Sequence, residues 1–237
     1  MPRPSPKLSK KTPARRKATS AATPASVRTR LDVDERRAQL VVLAVQAFSD
    51  RAYDEVSIDA LSEAAHISKG LLYHYFPSKR DLYAAALKHT AEELLQATAL
   101  VEALPPIERL HRGLETYLDF VARRGPAYVA LMRGGIGSDP SIASILEATR
   151  RAFLSRVVAG IEEDFPALGI GPVDEAKLAP VLHAGLRGWI GFVEAGSVDW
   201  VESHASSSAS ERAASRQALV MLFSTVLGEV LRLAPPR

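Results

Sequence analysis

The chain has 237 residues, 47% of them hydrophobic and 24% charged, enough apolar material for a buried core in one large or two small domains. The absence of Cys excludes a disulfide framework, thiolate metal sites and cysteine nucleophiles. No uninterrupted apolar run reaches the ~18 residues of a bilayer span, and the basic N-terminus lacks the apolar stretch of a secretory signal, so a cytoplasmic protein with no membrane partner is expected.

The formal net charge of +3 hides an asymmetry. Arg3, Lys7, Lys10, Lys11, Arg15, Arg16, Lys17, Arg28 and Arg30 face no acidic residue before Asp32; removing these nine from the 30 basic residues leaves 21 against 27 acidic, a net −6 for residues 32–237. Residues 1–31 are also rich in Pro, Ser, Thr and Ala and offer little to bury, so they read as a disordered basic tail, either solvated or gripping phosphates.

From residue 33 the text becomes helical. Leu40, Leu43, Ala44, Ala47 and Phe48 recur at helical spacing over residues 33–50, with Asp34 and Glu35 suited to the positive end of the dipole. Ser57 caps a short helix that turns Ile58, Leu61 and Ala65 inward. His66 and Ile67 interrupt it, and Ser68 caps a third helix that must stop before Pro77. Ser78 then caps a fourth, with Asp81 completing a capping-box pattern.

A short helix, a tight turn and a second capped helix can place that second helix in the major groove of DNA. Ser68 and the free N–H groups of the helix start suit a phosphate, Lys69 adds charge, and Gly70 allows close approach of the backbone. Tyr73 and Tyr75 carry hydroxyls for phosphates, His74 suits a phosphate or a base edge, and Leu71 suits a thymine methyl. Tyr73, His74 and Tyr75 are consecutive and cannot share one face, so one must pack inward. Lys79 is placed for a flanking phosphate.

The block Ser-Lys-Gly-Leu-Leu-Tyr-His-Tyr-Phe-Pro-Ser-Lys (68–79), preceded by Ser57 and Leu61-Ser-Glu-Ala-Ala65, closely resembles the DNA-binding domain of the TetR/AcrR regulators over about residues 36–90. The resemblance implies an all-α homodimer of about nine helices: a three-helix reader in residues 32–80, followed by an effector-binding and dimerisation domain in residues 81–237. It implies repression from a palindromic operator and release by a small ligand, with DNA contacts on Ser57, Ser68, Lys69, Gly70, Leu71, Tyr73, His74, Tyr75 and Lys79. One position departs from the family: His66 stands where glycine is usual in the turn, and positive φ costs a non-glycine residue roughly 1 kcal/mol or more.

Helices are expected over 107–124, 127–133, 141–165, 174–197 and 211–233, with a loop at 134–140. Leu178, Val181, Leu182, Leu186, Trp189, Ile190 and Val193 make an apolar stripe, beside which Gly185, Gly188 and Gly191 allow close helix approach. Leu219, Leu222, Phe223, Val226, Val230 and Leu233 repeat the pattern. The two stripes fit either intramolecular core or a homodimer interface through 174–197 and 211–233, where the resemblance places it. Tyr117, Phe120, Tyr128, Met132, Phe153, Trp189 and Phe192 are candidates for an apolar effector cavity, with His111, His183 and Arg187 as polar orienters.

An enzyme is disfavoured. The six His are scattered without metal spacing, Gly134-Gly-Ile-Gly137 lacks the context of a phosphate loop, and nothing forms a nucleophile elbow, so no metal or cofactor is expected. The remaining alternatives are an effector-independent or architectural DNA-binding protein and an activator.

Overall fold

The computed structural model describes residues 25–49, 51–99, 104–133, 135–164 and 180–232. Among these the chain is all α: α1 (Ala25–Ser49), α2 (Ile58–Ala64), α3 (Lys69–Tyr75), α4 (Lys79–Ala97), α5 (Pro106–Arg123), α6 (Gly125–Arg133), α7 (Pro140–Asp164), α8 (Pro180–Ser203) and α9 (Ala209–Arg232), with 3-10 turns at Tyr53–Glu55 and Gly135–Ser138. Residues 1–36 and 37–237 form two separate units.

Helix α1 begins at Ala25 rather than near residue 33. Pro24 is the last proline before it, and no Gly or Pro occurs within the helix or before Gly70, so nothing local forbids the earlier start. The basic tail is therefore helical from Ala25, while residues 1–24 lie outside the described residues. Helix α8 runs on to Ser203, past the Gly196-Ser197 expected to end it. Ser197 returns its hydroxyl to Val193 O at 2.7 Å, and Val198 and Trp200 continue the buried face. The expected helical stretches 174–179 and residue 233 lie outside the described residues.

One core holds Leu40, Ala44 and Phe48 of α1, Leu61 of α2, Leu72 of α3, and Leu82 and Tyr83 of α4. It also takes in Leu131 of α6 and Ile142 of α7, so packing is continuous across residue 80. A second core joins Leu114 and Leu118 of α5, Leu154 of α7, Leu186 and Trp189 of α8, and Phe223 of α9. Trp189 Nε1 donates to Phe223 O at 2.8 Å, tying α8 to α9. At Gly185 a Cβ would lie 2.8 Å from Val230 Cγ1, so this glycine admits α9 of the same chain; at Gly188 and Gly191 nothing lies within 4 Å.

Helix α9 is apolar enough by length and composition to cross a bilayer, with a mean hydropathy of 1.2. Val220, Phe223 and Leu227 pack into the second core, and Arg216 pairs with Asp119 of α5.

Candidate functional site

The helix-turn-helix is set by three serines. Ser57 Oγ accepts from Asp59 N at 3.2 Å and Ala60 N at 3.4 Å, Ser68 Oγ accepts from Leu71 N at 3.1 Å, and Ser78 Oγ accepts from Asp81 N at 3.2 Å while donating to Asp81 Oδ2 at 2.7 Å. Between α2 and α3, His66 takes φ 54°. His66 N donates to Glu63 O and Ile67 N to Ser62 O, both at 3.0 Å, the paired bonds of a left-handed helix C-terminus. The turn geometry that glycine would serve is thus built on histidine.

Helix α3 presents Ser68, Lys69, Gly70, Leu71, Tyr73 and His74 to solvent and buries Leu72. Tyr75 is the inward member of the aromatic triplet, half-buried against the first core with its ring edge-on to His74 at 5.6 Å. Lys69 Nζ lies 2.9 Å from Asp59 of α2, and the hydrogen-bonded carboxylate raises the lysine pKa. Lys79 sits 4.5 Å over the Tyr53 ring and donates to Asp54 O at 3.4 Å. A Cβ on Gly70 would come no nearer than 4.0 Å to Ser68 Oγ, so nothing within the fold demands glycine there. The chemistry offered is a run of donors, one cation on the reading helix and a second held at its flank.

A cavity of about 400 Å³ lies among α1 and α4–α9. Its wall follows α4 from Tyr83 to Thr98 and α7 from Ile145 to Gly160; at ~1.5 Å rise per residue each stretch is about 22 Å long. The two helices run side by side in one direction, since Arg80 Nη1 donates to Asp139 Oδ2 at 2.7 Å near their starts and Arg156 Nη1 to Thr98 Oγ1 at 3.1 Å near their ends. The cavity is therefore elongated, reaching from Thr98 and Arg156 to Phe48 and Tyr83 in the core of the reading helices. Its lining is mostly apolar. The hydroxyls of Tyr117 and Tyr128 meet at 2.7 Å, and Arg150 Nε donates to both Glu194 oxygens at 2.9 and 3.1 Å. Burial pushes Tyr117 up to about 12 and Tyr128 well above its usual range, so both stay neutral hydrogen-bonding groups.

Residues 40–86 match the family described as bacterial regulatory proteins of the tetR family, and residues 106–226 match the tetracyclin repressor-like C-terminal domain. The chain belongs to the TetR family. A tetR-family transcriptional regulator from Streptomyces coelicolor shares 30% identity and a TM-score of 0.69, covering 84% of this chain and 87% of that one. The transcriptional activator FasR of Mycolicibacterium smegmatis is 30% identical over 137 residues, 57% of this chain and 63% of FasR. The nucleoid occlusion factor SlmA of Haemophilus influenzae is 32% identical over 105 residues, 43% of this chain and 48% of SlmA. The chain thus spans about half to two thirds of the length of these two curated relatives. These relatives are named as transcriptional regulators and a nucleoid occlusion factor, not as enzymes, and no metal-binding cluster occurs among the described residues.

Within this TetR-family chain, Tyr117, Phe120, Tyr128, Met132, Phe153 and Trp189 stand on the cavity wall. His183 does not: Leu182 and Leu186 hold the buried face of α8, and His183 lies about 100° round the helix from Leu182. Phe192 is 37% exposed and lies edge-on to Phe223 at 5.5 Å, off the wall. Arg187 pairs with Glu147 at 2.7 Å, outside the cavity, and His111, also off the wall, has a buried Nε2 with no hydrogen-bond partner among the described residues. Sequence reasoning missed the share of α1 and α4 in the wall, and Arg124, Arg150 and Arg156 on it. An arginine among apolar residues at helical spacing on α7 was the available signal.

Proposed function

We propose that the chain is a cytoplasmic homodimeric repressor that occupies a palindromic double-stranded operator and leaves it when an elongated apolar or amphipathic small molecule fills the cavity. DNA contacts are assigned to Ser57, Ser68, Lys69, Gly70, Leu71, Tyr73, His74, Tyr75 and Lys79. The observation carrying the effector reading is the position of Phe48 and Tyr83, which belong both to the cavity wall and to the core that holds α3. A ligand pressing on these two side chains acts on the packing beneath the reading helix, a differential contact of the kind a two-state switch needs. The same cavity disfavours an effector-independent factor. Dimerisation through α8 and α9 is supported by Val181, Phe192, Met221 and Leu222, which are 66%, 37%, 53% and 47% exposed, and by the open Gly188 and Gly191.

An activator is the second reading, favoured by FasR being named one. Selection of genomic fragments on the full chain, followed by transcription of the adjoining genes with and without it, tests both. The proposal expects palindromic sites with half-sites ~34–36 Å or a multiple apart and transcription that rises when the chain is removed. Sequence-independent binding would contradict the regulator, and transcription that falls on removal would select the activator.

A further inference from the structure

Several polar groups interrupt the apolar wall; among its charged and tyrosyl members, Arg109 takes part in an interaction of its own, and Tyr117, Tyr128, Arg150 and Arg124 have partners within the chain. Tyr117 and Tyr128 share a hydrogen bond, Arg150 has Glu194, and Arg124 is charge-paired through Nη2 to Glu93 Oε2 at 3.1 Å, although its buried Nε finds no partner among the described residues. Arg156 differs. It donates to the hydroxyl of the buried Thr98 at 3.1 Å, and the Thr98 hydroxyl in turn donates to Leu94 O at 2.7 Å. Among the described residues no carboxylate pairs with Arg156, and burial alone moves its pKa downward.

A guanidinium carries five donors, and a partly desolvated cation without a counter-ion is costly unless an anion arrives. Arg156 lines the end of the cavity remote from Phe48 and Tyr83, and one turn beyond it no atom of the described residues comes within 4 Å of a Cβ on Gly160. Thr98, accepting from Arg156, fixes the fork in place. Together these features make a charged end on an elongated apolar channel.

We propose that Arg156, oriented by Thr98, forms a head-group subsite for an amphipathic anion with a carboxylate-type head, whose aliphatic tail runs toward Phe48 and Tyr83. This rests on the cavity being an effector site. The carboxylate neutralises Arg156 and takes up its unused donors, whereas an alcohol of equal length gains only the burial of its tail.

The test compares binding of dodecanoate and 1-dodecanol, both below micellar concentration, to the full chain by displacement of an environment-sensitive dye. The expected result is dodecanoate tighter by about tenfold or more, as charge-assisted hydrogen bonds imply. Arg156→Gln should abolish that preference while leaving dodecanol within about twofold of the wild type, and Arg156→Lys should restore part of it. Thr98→Val, which keeps the charge, should reduce the preference severalfold; it carries the test if Arg156→Gln loses its helical circular dichroism. Equal affinity for the two probes in the wild type, or a preference that survives Arg156→Gln or Thr98→Val intact, overturns the subsite and leaves the cavity reading standing. Binding of neither probe overturns both.

Discussion

His66 holds the turn at φ 54°, a backbone that costs a side-chain-bearing residue about 1 kcal/mol. His66→Gly should therefore raise the unfolding free energy by ~0.5–1 kcal/mol, less the greater freedom glycine gives the unfolded chain. Urea denaturation followed by circular dichroism measures this, and a loss of stability would mean that the imidazole contributes a contact of its own. The serine caps and the stop at Pro77 were legible because local rules govern them: a hydroxyl facing free N–H groups, and a ring that excludes helix before it. The partners of the two lysines were not. Lys69 finds Asp59 across the turn and Lys79 finds the Tyr53 ring, neighbours made only by folding. On DNA, Lys79→Ala should weaken binding to every sequence and lower the salt slope by about one, while His74→Ala should also relax base preference. Salt-dependent affinities on operator and random DNA separate these roles, and identical losses on both DNAs from both variants would contradict them.

The long helices were legible as elements, because apolar periodicity and Pro or Gly punctuation mark them, but their ends were not. Helix α1 starts early because nothing local stops it, and α8 outruns Gly196-Ser197 because Ser197 satisfies itself on Val193. How helices pair was wholly tertiary, as the side-by-side run of α4 and α7 shows. Asp139 fastens their starts. Its hydrogen bonds from Ser141, then the Arg80 guanidinium, hold its carboxyl down from 3.8 to about 2. Folding thus depresses this pKa, so the stabilisation is fully present above about pH 4 and fades as pH falls toward 2. Asp139→Asn should lower the thermal midpoint at neutral pH, with the gap from wild type closing across that acid window. A gap independent of pH would show that the charge is not what stabilises the junction.

At the scale of the whole molecule, an apolar stripe on α8 was legible but its division of labour was not. Leu182, Leu186 and Trp189 went to the chain's own core, Gly185 to contact with Val230, and Val181 and Phe192 to the surface. Leu222→Glu, placed on an exposed apolar position, should convert the proposed dimer to monomer in analytical ultracentrifugation without lowering helix content; an unchanged dimer would move the interface elsewhere. The aromatic cavity candidates on α5, α6 and α7 were readable from composition, whereas the contribution of Phe48 and Tyr83 was hidden in helices that serve DNA reading. That shared wall is the centre of the account. Its most direct test is fluorescence anisotropy of a selected operator fragment bound to the full chain, titrated with dodecanoate and 1-dodecanol, for wild type and for Gly113→Phe. Gly113 lies on the wall with nothing within 4 Å of a Cβ. The account predicts that an occupying ligand weakens the wild-type complex by about tenfold or more, the usual scale of allosteric coupling, and that the cavity-filled variant loses the response. Operator affinity that stays constant while the cavity is demonstrably occupied would contradict it.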